Sequence, residues 1–229
     1  TCPLKYKYVN ILRVPIMEHH TVIYGRAMHT AVTKYFQFKM AGKEMSAADL
    51  LNAFKESFDP QGFLDEKHQQ ERFRIGSEAL IKFFNEEEKR DSQPLYIEKE
   101  FSFILGDNKI TGRFDRVDME ECGAVIMDFK TSEIKTKEEA DKRTKESIQL
   151  ALYALAYKHV FGELPGGVKL YFLESGIIGT NQIKESDLKK IKDKINEVSG
   201  GIRERNFAAT PTYMACTYCA YNQICLFAI

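Results

Sequence analysis

The sequence predicts an α/β fold in which three consecutive strands are flanked by helices, on three observations. Apolar residues recur at helical spacing from Cys2 to about Leu12, from Tyr24 to about Met40 and from about Asp65 to Arg90. Three segments rich in β-branched and aromatic residues follow in a row: Leu95 to Leu105, Lys109 to Met119 and Ala124 to Thr131. The pattern then returns to a helix, one strand and a last helix. Such an order describes a sheet covered by helices, not an all-α or all-β chain.

Each boundary has a local cause. Pro15 breaks the chain between the first two helices. Ser46 followed by Asp49 reads as a capping box ahead of Leu50, Leu51, Phe54 and Phe58, which places a further helix there. The charged face of the stretch from Asp65 to Arg90 is a solvated surface, and Pro94 marks the switch to strands. Beyond the strands, a helix is expected from about Glu138 to Val160. The Pro165-Gly166-Gly167 turn leads to a strand from Val168 to Glu174, and a helix runs from about Ser186 to Arg205. No internal repeat is present, and the segment from about Phe38 to Asp91 carries no assignable motif.

The 229 residues are 44% hydrophobic without a low-complexity tract, so a single domain spanning residues 1–229 with a sizeable core is expected. No apolar run approaches the roughly 18 residues of a membrane span, and no secretory h-region opens the chain, which reads as cytoplasmic. The first residue is Thr, as in a piece of a longer polypeptide. Lys plus Arg and Asp plus Glu both number 33, for zero formal charge. That balance argues against a free-standing nucleic-acid binder. It is compatible with an enzyme that gathers carboxylates around metal ions.

The segments ITGRFDRVDM and AVIMDFKT are separated only by Glu120, Glu121, Cys122 and Gly123, the signature of a tight antiparallel hairpin. With Glu121 and Cys122 at the turn centre, Asp115 falls across from Asp128, and Lys130 shares the face of Asp128. Like charges so placed repel unless a cation joins them, so metal-assisted phosphodiester hydrolysis is the first functional hypothesis. The acid-x-Lys triplet alone is cheap, recurring at Asp65/Lys67, Glu87/Lys89, Asp107/Lys109, Glu133/Lys135 and Asp187/Lys189. Asp128 differs because it ends the apolar run Ala124 to Met127, where a solvated pair is out of place.

Three further groups join this set. His29 lies one helical turn after Gly25, whose missing side chain leaves room for a ligand; imidazole beside two carboxylates suits manganese better than magnesium. Gln149 and Tyr153 are spaced i, i+4 among alanines and leucines, either as a buried face or as polar groups that contact a nucleic-acid backbone or orient Lys130. Cys216, Cys219 and Cys225, with Cys2 at the other end of the chain, read as a metal site that ties the two ends together. Zinc or an iron-sulfur cluster would serve, and spacing alone favours zinc.

Together these residues resemble the PD-(D/E)XK nuclease superfamily, specifically its RecB-like branch, which includes the nuclease domains of RecB and AddB and C-terminal domains on UvrD/Rep-type helicases. CPLKYKY, GRAMH, GRFDRVD, VIMDFKT, QLALYALAY, LYFLESG and CTYCAYNQIC carry the resemblance, in order, over nearly the whole chain. It implies a restriction-endonuclease-like core: a mixed central β-sheet flanked by helices, with the N- and C-termini joined by a four-cysteine cluster site. His29, Asp115, Asp128 and the carbonyl of Phe129 would hold Mg2+ or Mn2+. Lys130 would be the catalytic lysine beside Asp115 and Asp128, with Gln149 and Tyr153 as the Q-x3-Y motif. Cys2, Cys216, Cys219 and Cys225 would hold a 4Fe-4S cluster, with zinc as the lesser occupant. The implied activity is that of a deoxyribonuclease, an exonuclease, acting on single-stranded DNA or duplex ends. Helicase domains in the same polypeptide or complex would be its partners in recombination or repair. A CRISPR-adaptation nuclease of the same superfamily and a catalytically inactive DNA-binding module are the alternatives. The residues that usually precede the first cysteine are absent.

Overall fold

The structure, a computed structural model, describes residues 2–16, 18–63, 65–90 and 93–229; Asp91, at the end of the segment without a motif, lies outside them. The chain forms two compact units, residues 20–191 and residues 1–19 with 192–229.

The larger unit opens with three helices, α2 (His20–Met40), α3 (Ala47–Ser57) and α4 (Glu66–Lys89), numbered after a short N-terminal α1 (Pro3–Tyr6) in the other unit. The capping box at α3 forms as the sequence predicts, with the Ser46 hydroxyl accepting the Asp49 N–H and the Asp49 carboxylate accepting the Ser46 N–H. Asp65 caps α4 through the His68 N–H. Strands β1 (Tyr96–Leu105), β2 (Asn108–Glu120) and β3 (Gly123–Lys130) then form an antiparallel meander.

The stretch expected as one helix from Glu138 to Val160 is two: α5 (Lys137–Lys145) and α6 (Ile148–Phe161). The charged α5, with Ala140 its single apolar residue, offers no apolar period whose end would mark the break. The chain restarts because the Ser147 hydroxyl accepts the Leu150 N–H as an N-cap. Strand β4 (Gly167–Phe172) lies parallel to β3, and a strand the sequence reading did not contain, β5 (Ile177–Asn181), returns antiparallel to it. The result is one mixed sheet in the order β1-β2-β3-β4-β5. Only five residues long and including Gly179, Thr180 and Asn181, β5 offers little apolar alternation to read.

Helices cover both faces. Met127, Phe129, Tyr171 and Leu173 point into a buried cluster with α2, α3 and α4 that includes Tyr24, Met28, Phe36, Phe54 and Phe83. On the other face Phe101 and Phe114 pack edge-on against Tyr153 of α6. Near β5 the approach is closer still. A Cβ added at Gly179 would stand 2.2 Å from the Thr144 hydroxyl and 2.3 Å from the Ala140 carbonyl oxygen, so α5 sits on β5 only because this residue has no side chain.

The smaller unit pairs the two ends of the sequence. Helix α1 continues as a π-helix (Lys7–Ile11). The Tyr221 hydroxyl donates to the Val14 carbonyl at 3.0 Å, the Tyr6 ring stacks on Phe207, and the Thr210 N–H lies 3.3 Å from the Cys2 sulfur. The unit also holds the end of α7 (Glu185–Arg203) and the short α8 (Tyr213–Thr217). Among the described residues, no helix is long and apolar enough to cross a membrane.

Gly179→Ala should lower the unfolding free energy by about 1–3 kcal/mol, because neither α5 backbone nor β5 can yield without loosening the other. Urea denaturation reads this directly, and an unchanged midpoint would show that the helix has room to move.

Candidate functional site

The hairpin closes as its loop predicts, with Glu120 opposite Gly123, and its ladder runs to Arg116 opposite Met127 and stops there. The next position in register is Asp115 against Asp128, where the two strands are no longer paired. Asp115 turns its carboxylate into the gap and accepts the Phe129 N–H at 3.1 Å. On the other side of that residue, the Phe129 carbonyl accepts a hydrogen bond from His29 Nε2 at 2.7 Å. His29 Nδ1 then lies 3.6 Å from the same Asp115 oxygen. Helix α2 thus reaches the strand end through one residue of backbone.

The Asp128 side chain is 2% exposed, and its Oδ2 lies 2.7 Å from Lys130 Nζ. The angle is poor, so among the described residues this buried oxygen accepts no directed hydrogen bond. The Lys130 ammonium instead donates to Gln149 Oε1 at 2.8 Å, and Gln149 Nε2 donates to the Tyr153 hydroxyl at 2.9 Å. Gln149 and Tyr153 share the inward face of α6 because they are one turn apart. Burial keeps the Tyr153 phenol protonated by pushing its pKa up, and the Asp115 and Asp128 charges push the same way, against the Gln149 hydrogen bond.

Two acids and a lysine on neighbouring strands, with a glutamine and a tyrosine behind the lysine, sit in a sequence that a model of the PD-(D/E)XK nuclease superfamily matches over residues 1–226. The chain belongs to that superfamily. A solved structure agrees on the fold. A protein of Eubacterium rectale, described only as a candidate exonuclease, is 13% identical over 91% of this chain and 76% of its own, with a TM-score of 0.56. A protein designated SSO0001 is 16% identical over 98% of this chain and 94% of its own, at a TM-score of 0.43. No curated protein matches the sequence.

In this nuclease domain the sequence reading missed a third acid. Glu98 of β1 falls opposite Asp115 in the register that pairs Ile97 with Arg116 and Lys99 with Phe114, and that step too lacks a partner pair. Its backbone is left-handed, with φ 52°, a conformation that costs a glutamate of order 1–3 kcal/mol. Glu98, Asp115 and Asp128 therefore stand in a row across three strands. Arg113 holds Glu98 at 2.5 Å and the Thr33 hydroxyl donates to it at 3.2 Å. Working out the β1–β2 register, as was done for β2–β3, would have found it.

Nucleases of this superfamily typically use Mg2+ or Mn2+, and the donors present suit such an ion. With Nε2 committed to the Phe129 carbonyl, Nδ1 of His29 faces the Asp115 carboxylate, where a cation would join the two. The undirected Asp128 oxygen and the Phe129 carbonyl complete a nitrogen and oxygen set. As the side chains stand, no three His, Cys, Asp or Glu groups among the described residues are placed to hold an ion. The Lys130 ammonium occupies the space beside Asp128, and His29 is engaged with backbone. Gly25 lies where α2 comes beside the end of β3: a Cβ there would meet the Thr131 hydroxyl at 3.4 Å, an ordinary contact.

The cysteines are a separate matter. Cys2, Cys216, Cys219 and Cys225 line one small cavity of the smaller unit, yet they too fall outside any arrangement that could hold an ion, and the expected four-cysteine site is not formed. Burial raises the Cys2 thiol, but the backbone N–H groups of Thr210, Lys5 and Leu4 outweigh it and hold the pKa below the usual value. Cys122 is exposed at the hairpin turn.

Burial first, and the facing Asp128 charge second, push the Asp115 carboxyl to about 6, against the lowering effect of His29 and the Phe129 N–H. A folded pKa above the unfolded value of about 3.9 means that the folded state binds the proton more tightly. The associated stability is fully present below pH about 4 and is lost as pH rises through about 6, by roughly 3 kcal/mol for two units. Without metal, the urea midpoint should fall across this window more steeply in the wild type than in Asp115→Asn. Added Mn2+ should restore the wild type alone; identical pH profiles for the two proteins would exclude a shared site.

Proposed function

We propose that this domain is a divalent-metal-dependent deoxyribonuclease that hydrolyses DNA phosphodiester bonds as an exonuclease, the nuclease module of a helicase-nuclease in recombination or repair. The observation that carries the reading is the meeting of Asp115 and Asp128 where β2 parts from β3, with Lys130 at 2.7 Å from Asp128. The sequence motifs shared with the RecB-like branch support the helicase context. The Eubacterium rectale neighbour, a candidate exonuclease, supports the mode of action.

His29, Asp115, Asp128 and the Phe129 carbonyl would hold the cation, Mg2+ or Mn2+. When bound, it supplies Lewis acidity toward a non-bridging phosphoryl oxygen and makes a water more acidic. The chain's own residues do the rest. Asp128 is buried, and its Oδ2 accepts no hydrogen bond among the described residues, which leaves that oxygen for the cation. Lys130 stands where charge builds on the phosphoryl group in the transition state and offsets it. Gln149, anchored by Tyr153, holds the lysine to one direction, so that little rotamer freedom is lost when the substrate arrives.

The single-stranded strand or duplex end that enters is itself a polyanion, which explains how a chain of zero net charge can serve: the cation and Lys130 provide the local positive field. In the smaller unit, Cys2, Cys216, Cys219 and Cys225 would hold a 4Fe-4S cluster, supported by their shared cavity and by the lowered Cys2 thiol. Formation of that cluster would draw the sulfurs inward from their present positions.

Asp115→Ala and Lys130→Ala should each cut Mn2+-dependent cleavage of end-labelled single-stranded DNA by about 100-fold or more while leaving the circular dichroism spectrum unchanged. Activity retained in both would refute the assignment. Anaerobically purified protein should be brown and lose its visible absorption in Cys216→Ser. A colourless protein that carries zinc would replace the cluster.

A further inference from the structure

The residue after Asp115 points to the opposite face of the sheet and is built into the core. Arg116 is 2% exposed. Its Nη1 donates to Glu87 Oε2 of α4 at 3.1 Å, its Nε donates to Asp118 Oδ1 at 2.8 Å, and its guanidinium lies 4.2 Å from the centre of the Phe36 ring of α2. Glu87 is fully buried, and its other oxygen is held by Arg90 at 2.9 Å. A buried ion pair of this kind often adds no stability over apolar residues of the same volume, so its presence requires another reason.

The contacts supply one, because they close a loop through the site. The Phe36 ring under the guanidinium is stacked on the Phe129 ring, with centroids 6.1 Å apart and planes 14° from parallel. The Phe129 N–H bonds Asp115, which precedes Arg116 on β2, and the Phe129 carbonyl bonds His29, which lies seven residues before Phe36 on the same side of α2. From Arg116 the path runs to α2, from α2 to β3, and from β3 back to Asp115 on the other side of β2. No ladder bond is available at this step to set the distance between β2 and β3, since their pairing ends at Arg116. The planar guanidinium takes over that task from behind.

We propose that Arg116 is a positioning residue of the nuclease site. Clamped by Glu87 and Asp118 and stacked on Phe36, it sets the separation and rotation at which Asp115, His29 and the Phe129 carbonyl are presented to the cation. The inference rests on the nuclease reading above and adds to it the part that fixes metal affinity. Lysine would not substitute, because it has neither the flat face for Phe36 nor the fork that spans two carboxylates.

The test pairs two variants with a control. Arg116→Lys keeps the charge. The triple variant Glu87→Leu, Arg116→Met, Asp118→Leu replaces the network by apolar side chains and should retain a cooperative urea transition. In both, Mn2+ affinity measured by electron paramagnetic resonance should fall by roughly 10- to 100-fold, as for groups that orient metal ligands, with cleavage falling in parallel at limiting Mn2+. Gly179→Ala, destabilised elsewhere, should bind Mn2+ as the wild type does, which separates positioning from stability. Wild-type Mn2+ affinity in a folded Arg116→Lys protein would overturn the proposal while leaving the nuclease reading intact. Wild-type protein that neither binds Mn2+ nor cleaves DNA would remove both.

Discussion

The hydrogen bond from the Phe129 N–H to Asp115 replaces the ladder bonds of a strand pair that has come apart, and the site depends on it. A backbone amide left without a partner in such a place would cost about 1–3 kcal/mol. A carboxylate satisfies it while keeping its second oxygen for other use. The carbonyl of the same residue is held by His29. The gap between β2 and β3 is therefore lined by polar groups whose own hydrogen bonds set their directions.

Electrostatics gives this opening its character. Glu98, Asp115 and Asp128 stand across three adjacent strands, and burial magnifies their repulsion. The protein compensates in part, with Arg113 on Glu98 and Lys130 on Asp128, and leaves Asp115 to carry the raised pKa. On the far side of the sheet the opposite arrangement holds: Arg116 is surrounded by Glu87 and Asp118, and burial raises the Asp118 carboxyl even against Arg116. Acids crowd the front of β2 and a guanidinium anchors its back, two consequences of side chains that alternate faces along one strand.

Much of this was legible in the residues. The hairpin register followed from a four-residue spacer, and it places Asp115 and Asp128 at the same step. The Ser46 capping box and the order of helices and strands followed from local chemistry. What escaped had a physical reason each time. The break at Ser147 escapes periodicity because α5 is almost wholly charged, with Ala140 its single apolar residue, and offers no apolar period to set against that of α6. Strand β5 is short and polar. Glu98 joins the row only through the β1–β2 register, which places it opposite Asp115. Arg116, one residue from the acid that drew the attention, acts through Phe36 and Glu87, partners 80 and 29 positions away in the chain. The four thiols were expected as a formed site, and the fold brings them only to a common cavity.

The smaller unit is assembled from residues 1–19 and 192–229, and this imposes an order of events on synthesis. Residues 20–191 contain every strand of the sheet and can condense while the ribosome is still extending the chain. The opening segment has no such opportunity. Its tyrosine stack and its sulfur contact need Phe207 and Thr210, so it stays unpacked until those residues have been made. During that interval Cys2 is an unprotected thiol, and any cofactor that bridges it to Cys216, Cys219 and Cys225 can be inserted only after translation has delivered them.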